Sequence, residues 1–264
     1  MLKNENVKFS NALKQIYKNN PTEILPNAFY KTKNILNQFT TEMKIIKDTV
    51  GKMKIHNRNK VMLYWHNNLK LVPKMKHKIM DSGFVLLNEK YLDDEIINSF
   101  KKKEKYFKLV NYPVITYSYK LDSRYKIINV DVNKELNKVS EFINNCYDKI
   151  NVSGKQVKKW TESRVFNNNL WLWVKDKNAK SEAGLIIADF DESISEVSLE
   201  WVQIDPDYRR NGLGEMIVKE LLYRVKGFAD FVTVSGQIDN KTKPEKLYRK
   251  CGFSGDDIWY VLIQ

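Results

Sequence analysis

From residue 124 onward the hydrophobic pattern changes period several times, and each change predicts an element. "YKIINVDV" (125–132) is short and β-branched, as a strand is. "NKELNKVSEFINNCYDKI" (133–150) puts Leu136, Val139, Phe142, Ile143 and Cys146 on one helical face, and "SGKQVKKWTES" (153–163) predicts a second, short helix. Three strands follow at 170–176, 182–190 and 196–204, joined by the short polar turns a hairpin requires. After Asp205-Pro206 the period becomes helical again, with Met216, Val218, Leu221, Leu222 and Val225 as the apolar face and Gly227 as the stop. A strand at 230–236, a helix opened by Pro244 and closed by Gly252, and a strand at 258–264 complete the run. The succession β-α-α-β-β-β-α-β-α-β predicts an α/β protein with a mixed sheet and helices on both faces.

The first 120 residues are less regular. A strand is expected at 60–66, a helix at 72–84 closed by Gly83, and a strand at 85–92. "LPNAFYKTKNILNQFT" leads into a helix, and the lysines of "NSFKKKEKYF" (98–107) read as a solvated face. Tyr112-Pro113 and the polar stretch 120–125 mark a boundary, so the expected domains are 1–120 and 121–264.

Charge supports that division. Residues 1–120 hold 23 lysines and arginines against 10 acidic residues, whereas 121–264 hold 22 of each, so the whole excess of +13 lies in the first part. A basic lobe attracts nucleic acid or an acidic partner, but lysine spread through an Asn/Lys/Ile-rich composition has a blander meaning, and nucleic acid is not the expected partner. No apolar run approaches a membrane span, and the N-terminus shows no signal-peptide hydrophobic region, so a cytoplasmic protein is expected. Two cysteines read as reduced thiols, and the three histidines lack ligand spacing, so no metal is expected.

The chemistry concentrates in "DYRRNGLGEM" (207–216), where two arginines and two of only ten glycines stand together between a strand and a helix. The first turn of a helix has N–H groups without internal acceptors, and glycine lets a ligand approach the backbone. With an arginine fork added, the turn reads as a diphosphate cradle. The alternative is a glycine-containing loop with its arginines in solvent. A P-loop is excluded because Glu215 and Met216 follow Gly214, and a dinucleotide fingerprint because Ile217 replaces its third small residue.

Arg209-x-x-Gly212-x-Gly214 after "Ile-Asp-Pro" resembles the acetyl-CoA signature of the Gcn5-related N-acetyltransferases (GNAT family), and "LYRKCGF" (247–253) resembles that family's second motif. The resemblance covers 124–264 and implies an acyl-CoA N-acyltransferase fold. It further implies acetyl-CoA as co-substrate, with backbone groups of Val202 and Ile204 pairing with the pantetheine arm. Backbone N–H groups of Arg209, Arg210, Asn211, Gly212, Leu213 and Gly214 would hold the pyrophosphate, and the Arg210 side chain would either pair with a phosphate or face solvent. Asn240 resembles a cofactor-contacting asparagine, one residue further from Tyr248 than the family's usual spacing. Tyr248 matches the general acid, against a reading as one more packed aromatic. Glu200 matches a general base, against an exposed strand glutamate; plain alternation puts it on a face with Glu196, Ser198, Val202 and Ile204. Trp160, Arg164, Trp171, Trp173 and Trp259 are candidates to line the acceptor pocket or to be core.

"KHKIMDSGF" echoes "KLYRKCGF", with Ile79 in the place of Tyr248, and each has a strand some twenty residues earlier. The echo predicts that the first lobe is a degenerate, cofactor-free copy of the same fold; a helical cap domain is the alternative. Three functions stay open: an N-acetyltransferase acting on a small-molecule or peptide amine, a non-catalytic acyl-CoA sensor, and a nucleic-acid or acidic-partner binder. A homodimer stays open too.

Overall fold

Three antiparallel strands, a bulge in the third, a helix and a parallel fourth strand occur twice along the chain. The computed structural model describes residues 3–67, 71–113, 122–147 and 150–264; part of the polar stretch expected as a boundary lies outside them. Two compact units are formed, the first from 1–110, 235–245 and 254–264, the second from 111–234 and 246–253.

The first unit opens with helices α1 (Asn4–Asn19), α2 (Pro21–Ile24) and α3 (Phe29–Ile35). Strands β1 (Thr40–Ile46), β2 (Thr49–His56) and β3 (Lys60–His66) follow, then α4 (Pro73–Met80), β4 (Phe84–Asn88), α5 (Asp94–Asn98) and β5 (Lys102–Asn111). The C-terminal strand β11 (Ile258–Ile263) also lies in this unit, antiparallel to both β4 and β5, giving the order β1-β2-β3-β4-β11-β5. Val61, Tyr64, Met75, Ile79, Val85 and Leu87 form one core with Tyr260 and Leu262 of β11.

The second unit runs β6 (Tyr125–Asn129), α6 (Leu136–Asn145), α7 (Gly154–Thr161), β7 (Phe166–Asp176), β8 (Ser181–Asp191), β9 (Glu196–Ile204), α8 (Leu213–Val225) and β10 (Phe231–Gln237), then α9 (Pro244–Lys250). Its strand order is β10-β9-β8-β7-β6. Val139, Phe142 and Ile143 of α6 and Val157 of α7 are buried with Trp171, Trp173, Leu185 and Ile187 on one face of this sheet. A capping box between Ser153 and Gln156 starts α7 at the place its sequence predicts. The element order expected for 124–264 is the observed one, and strand 196–204 has the expected bounds.

The two units share a local plan. In β9 Trp201 faces Ile187 and Leu199 faces Ala188, so Glu200 is an extra, bulged residue; in β3 Leu63 faces Ile55 and Val61 faces His56, so Met62 is. The parallel ladder ends at Leu199–Val234 in one unit and at Val61–Val85 in the other. Thus β3 corresponds to β9 and α4 to α8, which corrects the expected echo: "KHKIMDSGF" is the counterpart of α8, not of α9, and Ile79 does not occupy the place of Tyr248. Both helices end in Gly-Phe before a strand, a stop signal that carries no information about which strand follows.

In the first unit the gap beyond the ladder is closed from within. Tyr91 accepts from the His66 N–H (2.8 Å) and donates to the His66 C=O (3.2 Å), while its buried ring meets Tyr64 edge-on at 4.9 Å. Tyr91→Phe removes the hydroxyl that bonds both backbone groups of His66, which costs about 1–3 kcal/mol. Thermal unfolding should show Tm lowered by roughly 2–4 °C per kcal/mol in a chain of this size; an unchanged Tm would show that Tyr91 carries no such role.

Candidate active site

The site of the second unit begins at the bulge. Bulging at Glu200 reverses the alternation of β9, because cross-strand partners share a face. Trp201 faces Ile187 and Gln203 faces Leu185, both core residues on the α6/α7 side, whereas Val202 and Ile204 face Ile186 and Gly184 on the other. The face expected from plain alternation is therefore corrected: Glu200 keeps Ser198, whose hydroxyl donates to its carboxylate at 2.8 Å, but loses Val202 and Ile204 and gains Trp201. Trp160 stacks on Trp201 (5.7 Å between centroids, 25° between planes), and Tyr147 meets it edge-on at 6.3 Å.

The bulge also ends the parallel ladder at Leu199, five residues before β9 itself ends. Asp205 N–H donates to Ala183 C=O (3.1 Å), so the Ile204 carbonyl on the same peptide points away from β8. By strand alternation the polar groups of Val202 point the same way. These are the two residues expected to meet an amide-bearing arm, and β9 does present them at its edge beyond the ladder. The Ile204 carbonyl is engaged, accepting from Arg209 Nε (3.2 Å) and from the Cys146 thiol (3.9 Å), which burial pushes up to about 11 and so keeps protonated.

The turn that follows is held from below and exposed above. Tyr208 donates to Asp176 (3.2 Å) and lies 3.0 Å from the Ser181 hydroxyl; Arg124 donates to the same Asp176 oxygen at 2.6 and 2.9 Å. These bonds, the Arg124 guanidinium above all, hold the Asp176 carboxyl well below the usual carboxylate range. Arg209, Arg210, Asn211 and Gly212 are exposed; Arg210 (φ 67°) and Gly212 (φ 77°) are left-handed, and Gly212 is the N-cap of α8. The first hydrogen bond of that helix runs from Met216 N–H to Gly212 C=O (3.1 Å), leaving the N–H groups of Leu213, Gly214 and Glu215 ahead of it. The Arg209 N–H is spent on Pro206 C=O (3.3 Å), so its expected backbone role is corrected: what Arg209 offers is its side chain.

Gly214 serves packing. A Cβ there would lie 3.1 Å from Leu247 on α9, so its absence lets the two helices meet closely. Through that contact the motif at 209–214 touches the motif at 247–253. Tyr248 is 6% exposed, with Phe253 edge-on at 5.8 Å. Burial, with a smaller contribution from the neighbouring Tyr147, drives its phenol well above the ordinary tyrosine range, so it remains a proton donor at neutral pH.

Trp171 and Trp173 are fully buried core, and Trp173 donates to Glu135 (3.0 Å). Trp259 belongs to the first unit, where it donates to Thr22 C=O (2.8 Å). Arg164 is exposed, and Asn240, in the first unit, accepts from the Thr242 N–H (2.9 Å) and hydroxyl (2.8 Å). Trp160 packs against the core of this unit and stacks on Trp201, and Tyr147, Trp201 and Gln203 were not among the sequence candidates. The bulge that gathers them depends on the neighbouring strand and leaves no mark in the β9 sequence. Among the described residues no group of His, Cys, Asp and Glu is placed to hold a metal ion, and no helix is long and apolar enough to cross a membrane.

Comparison with known proteins agrees with this geometry. Residues 167–255 match the family model of the acetyltransferase (GNAT) domain. Among solved structures, a GCN5-related N-acetyltransferase from Sphaerobacter thermophilus is similar over 89% of this chain and 84% of its own, at TM-score 0.64 and 9% identity. A GNAT-family acetyltransferase from Colwellia psychrerythraea covers 96% and 97% (TM-score 0.59, 9% identity). A tandem GNAT protein of the clavulanic acid biosynthesis pathway covers 97% and 93% (TM-score 0.57, 10% identity). No curated protein matches the sequence. Residues 167–255 thus resemble a GNAT acetyltransferase domain, and the fold is similar over nearly the whole chain to structures described as GNAT acetyltransferases.

Proposed function

We propose that the second unit transfers an acetyl group from acetyl-CoA to a primary amine of a small molecule or peptide in the cytoplasm, and that the first unit is a cofactor-free lobe. The observation that carries the reading is the early end of the β9 ladder beside an open helix start. An extended, amide-bearing arm finds backbone partners at Val202 and at the N–H of Ile204, whose carbonyl is already taken, and a pyrophosphate finds the N–H groups of Leu213 and Gly214 beside the Arg209 and Arg210 positions. Among the described residues no such opening stands at α4, which starts at Pro73 without a glycine, while Tyr91 bonds both backbone groups of His66.

Attack of an amine on the thioester requires removal of a proton from the amine, stabilisation of the oxyanion and protonation of the leaving thiolate. Glu200, on the face shared with Trp201, is the base; a backbone N–H near Val202 is the oxyanion donor; Tyr248 is the acid. The reaction is tested by release of free thiol from acetyl-CoA across a panel of amines and peptides. Glu200→Gln should lower turnover by about 10²-fold at neutral pH and recover partly as rising pH deprotonates the amine directly. A pH profile parallel to the wild type would remove Glu200 from the reaction.

A further inference from the structure

Both polar atoms of one buried side chain in the second unit lack partners. Gln203 is 5% exposed, and neither its Nε2 nor its Oε1 has a hydrogen bond among the described residues. Folded proteins avoid this, because a shielded carboxamide has given up water without recovering its bonds. The residue stands between Val202 and Ile204, beyond the end of the ladder, and its side chain shares a face with Trp201. The first unit shows the closed alternative. Trp65 holds the place of Gln203 there, its Nε1 donates to Glu23 (3.0 Å), and Tyr91 satisfies both backbone groups of His66. The closed copy satisfies these positions internally, whereas the open copy leaves a donor and an acceptor unused.

We propose that Gln203 is a ligand-binding residue whose carboxamide turns to the open edge of β9 and hydrogen-bonds the amides of the pantetheine arm. This rests on the reading of the second unit as an acetyl-CoA site. Oε1 takes an amide N–H and Nε2 gives to an amide C=O, and the arm carries two amides along its length. The turn breaks no protein hydrogen bond, so the ligand gains two bonds without competing for them. A side chain that can bond only when the arm is present also favours ligands that have one.

The test uses the full chain and Gln203→Met, which keeps the volume and removes the hydrogen-bonding atoms. Calorimetric titrations are made with acetyl-CoA and with the nucleotide portion of coenzyme A, which keeps the pyrophosphate and lacks the arm; thermal unfolding is recorded without ligand. The variant is expected to bind acetyl-CoA about tenfold more weakly, to bind the nucleotide portion as the wild type does, and to unfold at the same or a higher temperature. Unchanged acetyl-CoA affinity overturns the proposal. So does a lowered Tm with equal weakening for both ligands, which would mean that the carboxamide is held inside the protein, by an internal water for instance. Failure of the wild type itself to bind acetyl-CoA is a separate result: it removes the donor reading and this inference with it.

Discussion

Gly212→Asp is expected to weaken acetyl-CoA binding about a hundredfold or more while the protein stays folded. Gly212 is left-handed at the N-cap of α8, and a Cβ there meets nothing within 4 Å, so there is room for a side chain. Aspartate tolerates this left-handed backbone better than most residues, at some strain, and its carboxylate would stand beside the first-turn N–H groups. Those are the groups proposed to hold the pyrophosphate. The substituted carboxylate would compete for them and add a like charge beside the ligand. Losing about two charge-assisted hydrogen bonds and adding this repulsion should weaken binding about a hundredfold or more. Gly212→Asn, with the same shape and no charge, should lose less. Calorimetric titration of both variants, with thermal unfolding as the control, checks this; an Asp variant within threefold of the wild type would show that the pyrophosphate is not held at this turn.

Tyr248→Phe should lower kcat by about 10²–10³-fold and leave acetyl-CoA affinity within about twofold. Phenylalanine keeps the ring packed on Phe253 and removes only the hydroxyl. Because burial and Tyr147 hold that phenol protonated, no loss of wild-type activity through deprotonation of Tyr248 is expected up to pH ~10. If the residue were only packing, kcat would stay near the wild-type value. A sensor without catalysis would bind acetyl-CoA equally in both forms and turn over neither. This variant therefore distinguishes the enzyme from the non-catalytic binder.

What could be read from sequence follows from which forces act locally. The β9 strand, the 209–214 turn and the α8 face are set by side-chain alternation, glycine and helical periodicity, and all three emerge from the residues themselves. The bulge at Glu200 is set by pairing with β8, and it moved Trp201 and Gln203 to a face that simple alternation denied them. In the first unit, α1 was hidden because its buried face carries Asn6 and Ser10 beside Phe9, Leu13 and Tyr17. Asn6 is satisfied there by bonds to Leu36 C=O (3.3 Å) and Asn37 (3.0 Å), which no periodicity shows. Strand β2 was hidden by lysines that extend from half-buried positions: Lys54 pairs with Glu42 at 2.5 Å, and Lys52 lies over the Tyr64 ring at 5.6 Å. In β5 the lysines at 102 and 103 are exposed, as a solvated face would be, but the same strand continues into Phe107, Leu109 and Val110, which are buried.

The association of the C-terminal strand with the first unit was also invisible. Ile258–Ile263 reads as any apolar strand does, and its neighbours β4 and β5 lie more than a hundred residues earlier. Long-range pairing of this kind is decided by topology, on which strand propensity is silent. The same holds for the closure at Tyr91, whose part is defined by the backbone it caps.

Calorimetric titration of the wild-type chain with acetyl-CoA tests the central claim most directly. Saturable binding with one site per chain is expected, since β9 presents Val202 and Ile204 beyond its ladder while Tyr91 bonds the corresponding backbone in the first unit. No saturable binding at millimolar ligand would contradict the claim that residues 202–214 form an acyl-CoA site.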